Sequence, residues 1–141
     1  MKNVLIVDDN VGFLFWLGEV LAGANYQPWP ACSAADATKM LRTKRLAQLD
    51  LLVVNPSLRG AAPFIARLRR TRPTVKVLAV DPLNEKQVRG VNAWHARPNR
   101  ADVSARQEWL REVGRIFSTQ KRAASSRGQD VILRPGWRLA S

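Results

Sequence analysis

Cysteine is nearly absent from this chain: Cys32 stands alone among 141 residues. A single cysteine cannot close an internal disulfide, so the fold must rest on its apolar core. The usage fits a reducing compartment, with Cys32 as an inert, half-buried thiol. Histidine is as scarce. His95 has neither a second metal ligand nor a nucleophile as partner, which leaves it a packing residue. Zinc-type Cys/His spacing and a Gly-rich phosphate loop are both missing. No apolar stretch approaches the roughly 20 residues that span a bilayer. The run after Lys2 is only Val4 to Val7 before Asp8 and Asp9 interrupt it, too short for the core of a signal peptide. A cytoplasmic location is expected.

Acidic residues are the last scarcity. Eleven Asp and Glu face 23 Lys and Arg, a net charge of +12, and the 17 arginines outnumber the 6 lysines. An excess of this size favours an anionic partner: nucleic acid, an acidic protein face or anionic lipid. A coding bias toward arginine, serving only solubility, explains the same count equally well. The length suits one domain with a proper core.

What is present is an alternation of strand and helix. Strand 2–7 precedes a helix from about Asn10 to Ala24, and a strand from Tyr26 to Cys32 precedes a helix from Ala34 to Leu46. The buried strand 49–55 leads to a helix from about Ala62 to Arg70. Strand 75–80 is followed by a short helix near Asn84 to Val91, and strand 93–96 by a helix from Asp102 to Phe117. Five βα units in this rhythm imply a parallel sheet with helices on both faces. Pro28 and Pro30 cannot donate to a ladder, so their strand belongs at an edge. That is where strand 2 lies in the order 2-1-3-4-5.

The chain divides into a domain at 1–117 and a basic segment at 118–141. Ser118 to Gln129 reads as a linker. The stretch Val131 to Leu139 sets two apolar arms around Pro135-Gly136. It fits a small hairpin, an extra sheet edge, or a segment that orders on a partner.

Polar residues gather where the strands end. Asp8-Asp9 follows the first strand, Asn55-Pro56 the third, Asp81 the fourth, and Arg97-Pro98 the fifth. The carboxyl edge of a parallel sheet is where open α/β folds build their sites. This pattern resembles a response-regulator receiver domain over residues 1 to about 117, and the resemblance implies a flavodoxin-like (βα)5 fold. It further implies that Asp8 and Asp9 match the acid pair that holds Mg²⁺, and that Asn55 stands at the phosphoacceptor. Asp81 stands where receivers carry Ser or Thr, and Arg97 where they carry Lys. Trp94 falls at the aromatic switch position.

The acceptor position departs from that family in the way that matters most. An amide oxygen is a poor nucleophile and carries no charge, so phosphotransfer at Asn55 is expected to be absent. Deamidation to Asp is not expected either, because the usual succinimide route uses the nitrogen of the next residue and Pro56 has no N–H to give. Asp8, Asp9 and a carbonyl near Ser57 would hold Mg²⁺ weakly at most. Arg97 is expected to pair with Asp81 and with one or both of Asp8 and Asp9 in the space Mg²⁺ and phosphoryl would otherwise fill, with Asp81 as a solvent-facing N-cap the competing reading. No catalytic constellation is present, and no enzyme is expected.

Three surfaces fit partners. Phe13-Leu14-Phe15-Trp16-Leu17 makes the first helix apolar all round, and Phe13, Phe15 and Trp16 are candidates for contact with a protein partner or a second copy. A tail folded over this helix would cover the same surface. Arg67, Arg69, Arg70 and Arg72 exceed what a helix dipole needs. The basic tail, with Lys121, Arg122, Arg127, Arg134 and Arg138 around Trp137, is the third surface, and it and the helix arginines are candidates for anion binding. The resulting expectation is a phosphorylation-independent receiver acting as a signalling adaptor through protein contacts. The alternative is a nucleic-acid or polyanion-binding module.

Overall fold

The computed structural model describes residues 1–80, 90–96 and 104–129, with 119–129 by backbone only. The first compact unit, Met1–Val103, holds a five-stranded sheet with the order β2-β1-β3-β4-β5. The strands are β1 (Lys2–Val7), β2 (Tyr26–Ala31), β3 (Leu51–Val54), β4 (Lys76–Val80) and β5 (Ala93–His95), and every pairing is parallel. This is the flavodoxin-like architecture expected from the alternation. β2 lies at the edge, with Pro28 opposite Val4 and Pro30 opposite Ile6, so neither proline interrupts a ladder on its far side.

β1, β3 and β4 form the buried centre. Val4 to Val7, Leu51 to Val54 and Val77 to Val80 are all buried, the near-continuous apolar strands of a sheet covered on both sides. Alternation divides their side chains between two faces. Leu5, Val7, Leu52, Val54 and Val77 join Ala37, Ala61, Phe64, Ile65 and Leu68 in one cluster, beneath α2 (Ala34–Leu41) and α3 (Ala61–Thr71). The opposite face is left to α1 (Val11–Gly23), which buries Phe13, Leu14, Leu17, Val20 and Leu21.

Local chemistry sets the helix ends. Asn10 caps α1 by accepting from Phe13 N–H at 3.0 Å, and Ser33 caps α2 by accepting from Asp36 N–H at 3.1 Å, the side-chain role these residues favour. α3 starts after Gly60 at φ 79°. Its Pro63 falls in the first turn, where a missing N–H leaves no intrahelical bond unmade. α2 stops five residues short of the expected Leu46, and a 3-10 turn covers Lys44–Leu46. Thr43 turns its hydroxyl onto Met40 O at 2.7 Å, and the carbonyls released at Leu41 and Leu46 are met by Arg72.

The second compact unit begins at Ser104, and its described part is one helix, α4 (Ala105–Gln129). Ala105, Trp109, Val113 and Ile116 are buried and recur at helical spacing. The stretch expected as a linker from Ser118 is helical through Gln129. Gln120 to Ala124 are good helix formers without a proline, which serine content alone did not reveal. The expected helix near Asn84–Val91 (up to residue 89) and the segment 131–139 lie outside the described residues. Among the described residues no helix is long and apolar enough to cross a membrane.

Candidate functional site

β1 and β3 are adjacent, and their carboxyl ends bring Asp8 and Asn55 together. Asn55 N–H donates to Val7 O at 3.0 Å, extending the ladder by one residue past β3, while Asp8 N–H donates to Ala31 O at 3.2 Å. The Asp8 side chain is fully buried, and its Oδ1 accepts from Asn55 Nδ2 at 3.1 Å and from Asn10 N–H at 3.3 Å. A buried carboxylate is costly unless hydrogen bonded, and here the amide of Asn55 does part of that work.

The orientation of the Asn55 amide follows from its neighbours. Ser57 N–H donates to Asn55 Oδ1 at 2.9 Å. A backbone N–H can only donate, so the oxygen must face Ser57 and the NH₂ must face Asp8. Asn55 therefore directs protons toward Asp8, the reverse of what a divalent cation requires. Asp9, next in sequence, is exposed. Among the described residues no group of three or more His, Cys, Asp or Glu gathers around a common point. With an NH₂ directed into the site and one Asp8 oxygen already accepting two hydrogen bonds, the described residues of this site do not fit Mg²⁺ as a resident ion.

Trp94 lies on β5 opposite Ala79 of β4 and is half-buried, as is His95. Asp81 and Arg97, and with them the expected ion-pair cluster, lie outside the described residues. Cys32 is exposed rather than half-buried, because β2 ends at Ala31 and the chain turns out into the cap of α2.

The candidate contact surfaces are partly revised. Phe15 is 67% exposed while Phe13 is 3% exposed, so Phe13 is a core residue and not a contact residue. Position 13 stands four before Leu17 and so shares its face. Phe13 and the half-buried Trp16 stack with centroids 6.2 Å apart.

Two of the four arginines proposed for anions are also occupied otherwise. Arg69 donates through Nε to Gly90 O at 2.8 Å, and its remaining nitrogens reach Val75 O, Pro73 O and Asn92 Oδ1. Burial lowers its pKa, the direction desolvation gives a cation. Arg72 donates to Leu41 O at 3.0 Å and to Leu46 O. Both tie α3 to neighbouring elements. Arg67 and Arg70 remain exposed, and the side chains of Lys121, Arg122 and Arg127 lie outside the described residues. These arginine clamps were missed in the sequence. Arg following the last apolar turn of a helix is their only local sign.

Solved structures share the fold of the first unit's sheet and helices. A CheY-like receiver domain from Methanospirillum hungatei JF-1 matches with a TM-score of 0.73 at 18% identity, covering 87% of this chain and 98% of the other. The fold is that of a response-regulator receiver domain. A response regulator from Chloroflexus aurantiacus J-10-fl matches this receiver fold at 0.66 and 24% identity, over 83% of this chain and 98% of that one. The chemotaxis response regulator CheY4 of Vibrio cholerae matches at 0.68 and 18% identity, over 82% and 98%. No protein-family model matches the sequence, and no match was found among curated proteins.

Proposed function

We propose that this chain is a receiver-type signalling module that works without phosphorylation, as a non-enzymatic adaptor whose output is contact with a protein. The observation that carries the reading is the Asn55–Asp8 pair. The residue at the acceptor position is an amide, and its NH₂ donates to the acid that a receiver would use for metal. The hydrogen bond supplies part of the neutralisation that a cation would otherwise give. Input then comes from a partner, an effector or abundance, and the exposed Phe15 offers one place for contact.

The polyanion alternative draws on the +12 charge, but the clamps formed by Arg69 and Arg72 reduce its described patch to Arg67 and Arg70. The test is incubation of the whole chain with acetyl phosphate and Mg²⁺, followed by intact mass. No phosphoryl adduct is expected on the wild type. A stoichiometric adduct would overturn the reading.

A further inference from the structure

Thr38, Leu41 and Arg42 stand at i, i+3 and i+4 along the end of α2. Phe64, Arg67, Leu68 and Thr71 repeat that spacing on α3, so each set occupies one face of its helix. The two faces enclose a groove of 290 Å³ open to solvent. Its floor is apolar: Phe64 and Leu68 are buried at 7% and 3% exposure, with the half-buried Leu41 beside them.

The rim is cationic, and none of the lining residues is acidic. Arg42 and Arg67 are exposed. Among the described residues neither guanidinium forms an ion pair or a hydrogen bond. The hydroxyls of Thr38 and Thr71 already donate to Ala34 O and Arg67 O, so the side-chain donors left facing the groove are guanidinium N–H groups. Arg72, held by Leu41 O and Leu46 O, fixes one wall. The volume falls just below the roughly 300–1,000 Å³ of pockets that enclose drug-sized ligands. It suits one or two anchor side chains, with the arginines binding what flanks them.

We infer that the α2–α3 groove docks a partner polypeptide that inserts an apolar anchor flanked by carboxylates. This rests on the adaptor reading and names the surface and the partner chemistry. The charge is complementary, the pocket is sized for side chains, and the two rim arginines are free to pair.

The test is an NMR titration of the labelled full chain with a short synthetic peptide bearing a Phe-Leu anchor between glutamates. Amide shifts are expected at Leu41, Arg42, Phe64, Arg67 and Leu68. Binding should weaken about tenfold when either rim arginine becomes alanine, the equivalent of about 1.4 kcal/mol. The exposed double variant R42E/R67E should prefer a peptide with lysines in place of glutamates, a swap that misfolding cannot produce. Three results would overturn the inference: no shifts, shifts confined to other surfaces, or equal binding by a peptide whose anchors are serines. The same shifts from duplex DNA would also overturn it, by making the groove a general anion site. The acetyl phosphate experiment judges the adaptor reading separately, so either can fail alone.

Discussion

Asn55 differs from aspartate by one NH₂ group, and that group decides the electrostatics at the end of β3. Its proton donation to Asp8 over 3.1 Å is a hydrogen bond to a charged, fully buried group, a type that contributes about 1.5–3 kcal/mol. Asn55→Asp exchanges this attraction for two like charges within contact distance. The variant is expected to lose about 1–3 kcal/mol of stability in metal-free buffer, read by urea unfolding. Mg²⁺ is expected to restore much of the loss while leaving the wild type nearly unchanged. Equal stability of both proteins without Mg²⁺ would show that the amide does not carry this role. The residues concerned were legible in the sequence, because Asn55 and Asp8 both end short apolar strands. The amide's orientation was not, since it depends on the Ser57 N–H that the turn after Pro56 presents.

At the scale of elements, α3 is fastened by its arginines as much as by its apolar face. Arg69 joins the end of that helix to Gly90 and Asn92 at the entry to β5. Asn92 Oδ1 in turn accepts from Val77 N–H at 2.8 Å. Arg69→Ala is expected to cost about 2–3 kcal/mol, since several carbonyls lose a charged donor at once, whereas Arg70→Ala should stay within about 0.5 kcal/mol. Arg69→Lys should recover only part of the loss, because an ammonium lacks the planar fork. Similar losses for the alanine variants at 69 and 70 in chemical denaturation would contradict the clamp. Gly90 supports the same junction. Its φ is 86°, and an added Cβ would lie 3.1 Å from Arg69 Cγ and 3.2 Å from Ile65 Cγ2. Gly90→Ala should therefore cost about 1–2 kcal/mol from backbone conformation alone, with crowding in addition; a neutral melting temperature would refute this.

The strands, their order and the edge position of Pro28 and Pro30 could be read from local pattern, because burial on both faces and a missing N–H are properties of short segments. The clamps could not. Arg72 reaches carbonyls 26 and 31 residues away, and a run of arginines looks the same whether it faces solvent or a neighbouring loop. Phe13 was readable in principle from its i, i+4 spacing to Leu17 and Leu21, but an aromatic-rich helix drew attention to composition over phase.

For the whole molecule, a net charge of +12 guarantees some attraction to nucleic acid, so its strength and salt response decide what it means. With Arg69 and Arg72 occupied, duplex DNA is expected to bind no more tightly than the non-specific range, about 10⁻⁴–10⁻⁶ M. That binding should vanish as salt rises, as fluorescence anisotropy would show. Sequence-selective binding that survives physiological salt would favour the polyanion reading instead. On the proposed reading, the receiver fold here operates without phosphoryl chemistry. The direct measurement is a heteronuclear NMR titration of the labelled chain with Mg²⁺ and beryllofluoride, run beside Asn55→Asp. No saturable shifts are expected at Asp8, Asp9 or Asn55 in the wild type. Saturable, micromolar shifts of those wild-type amides would show a working phosphoacceptor site and contradict that reading.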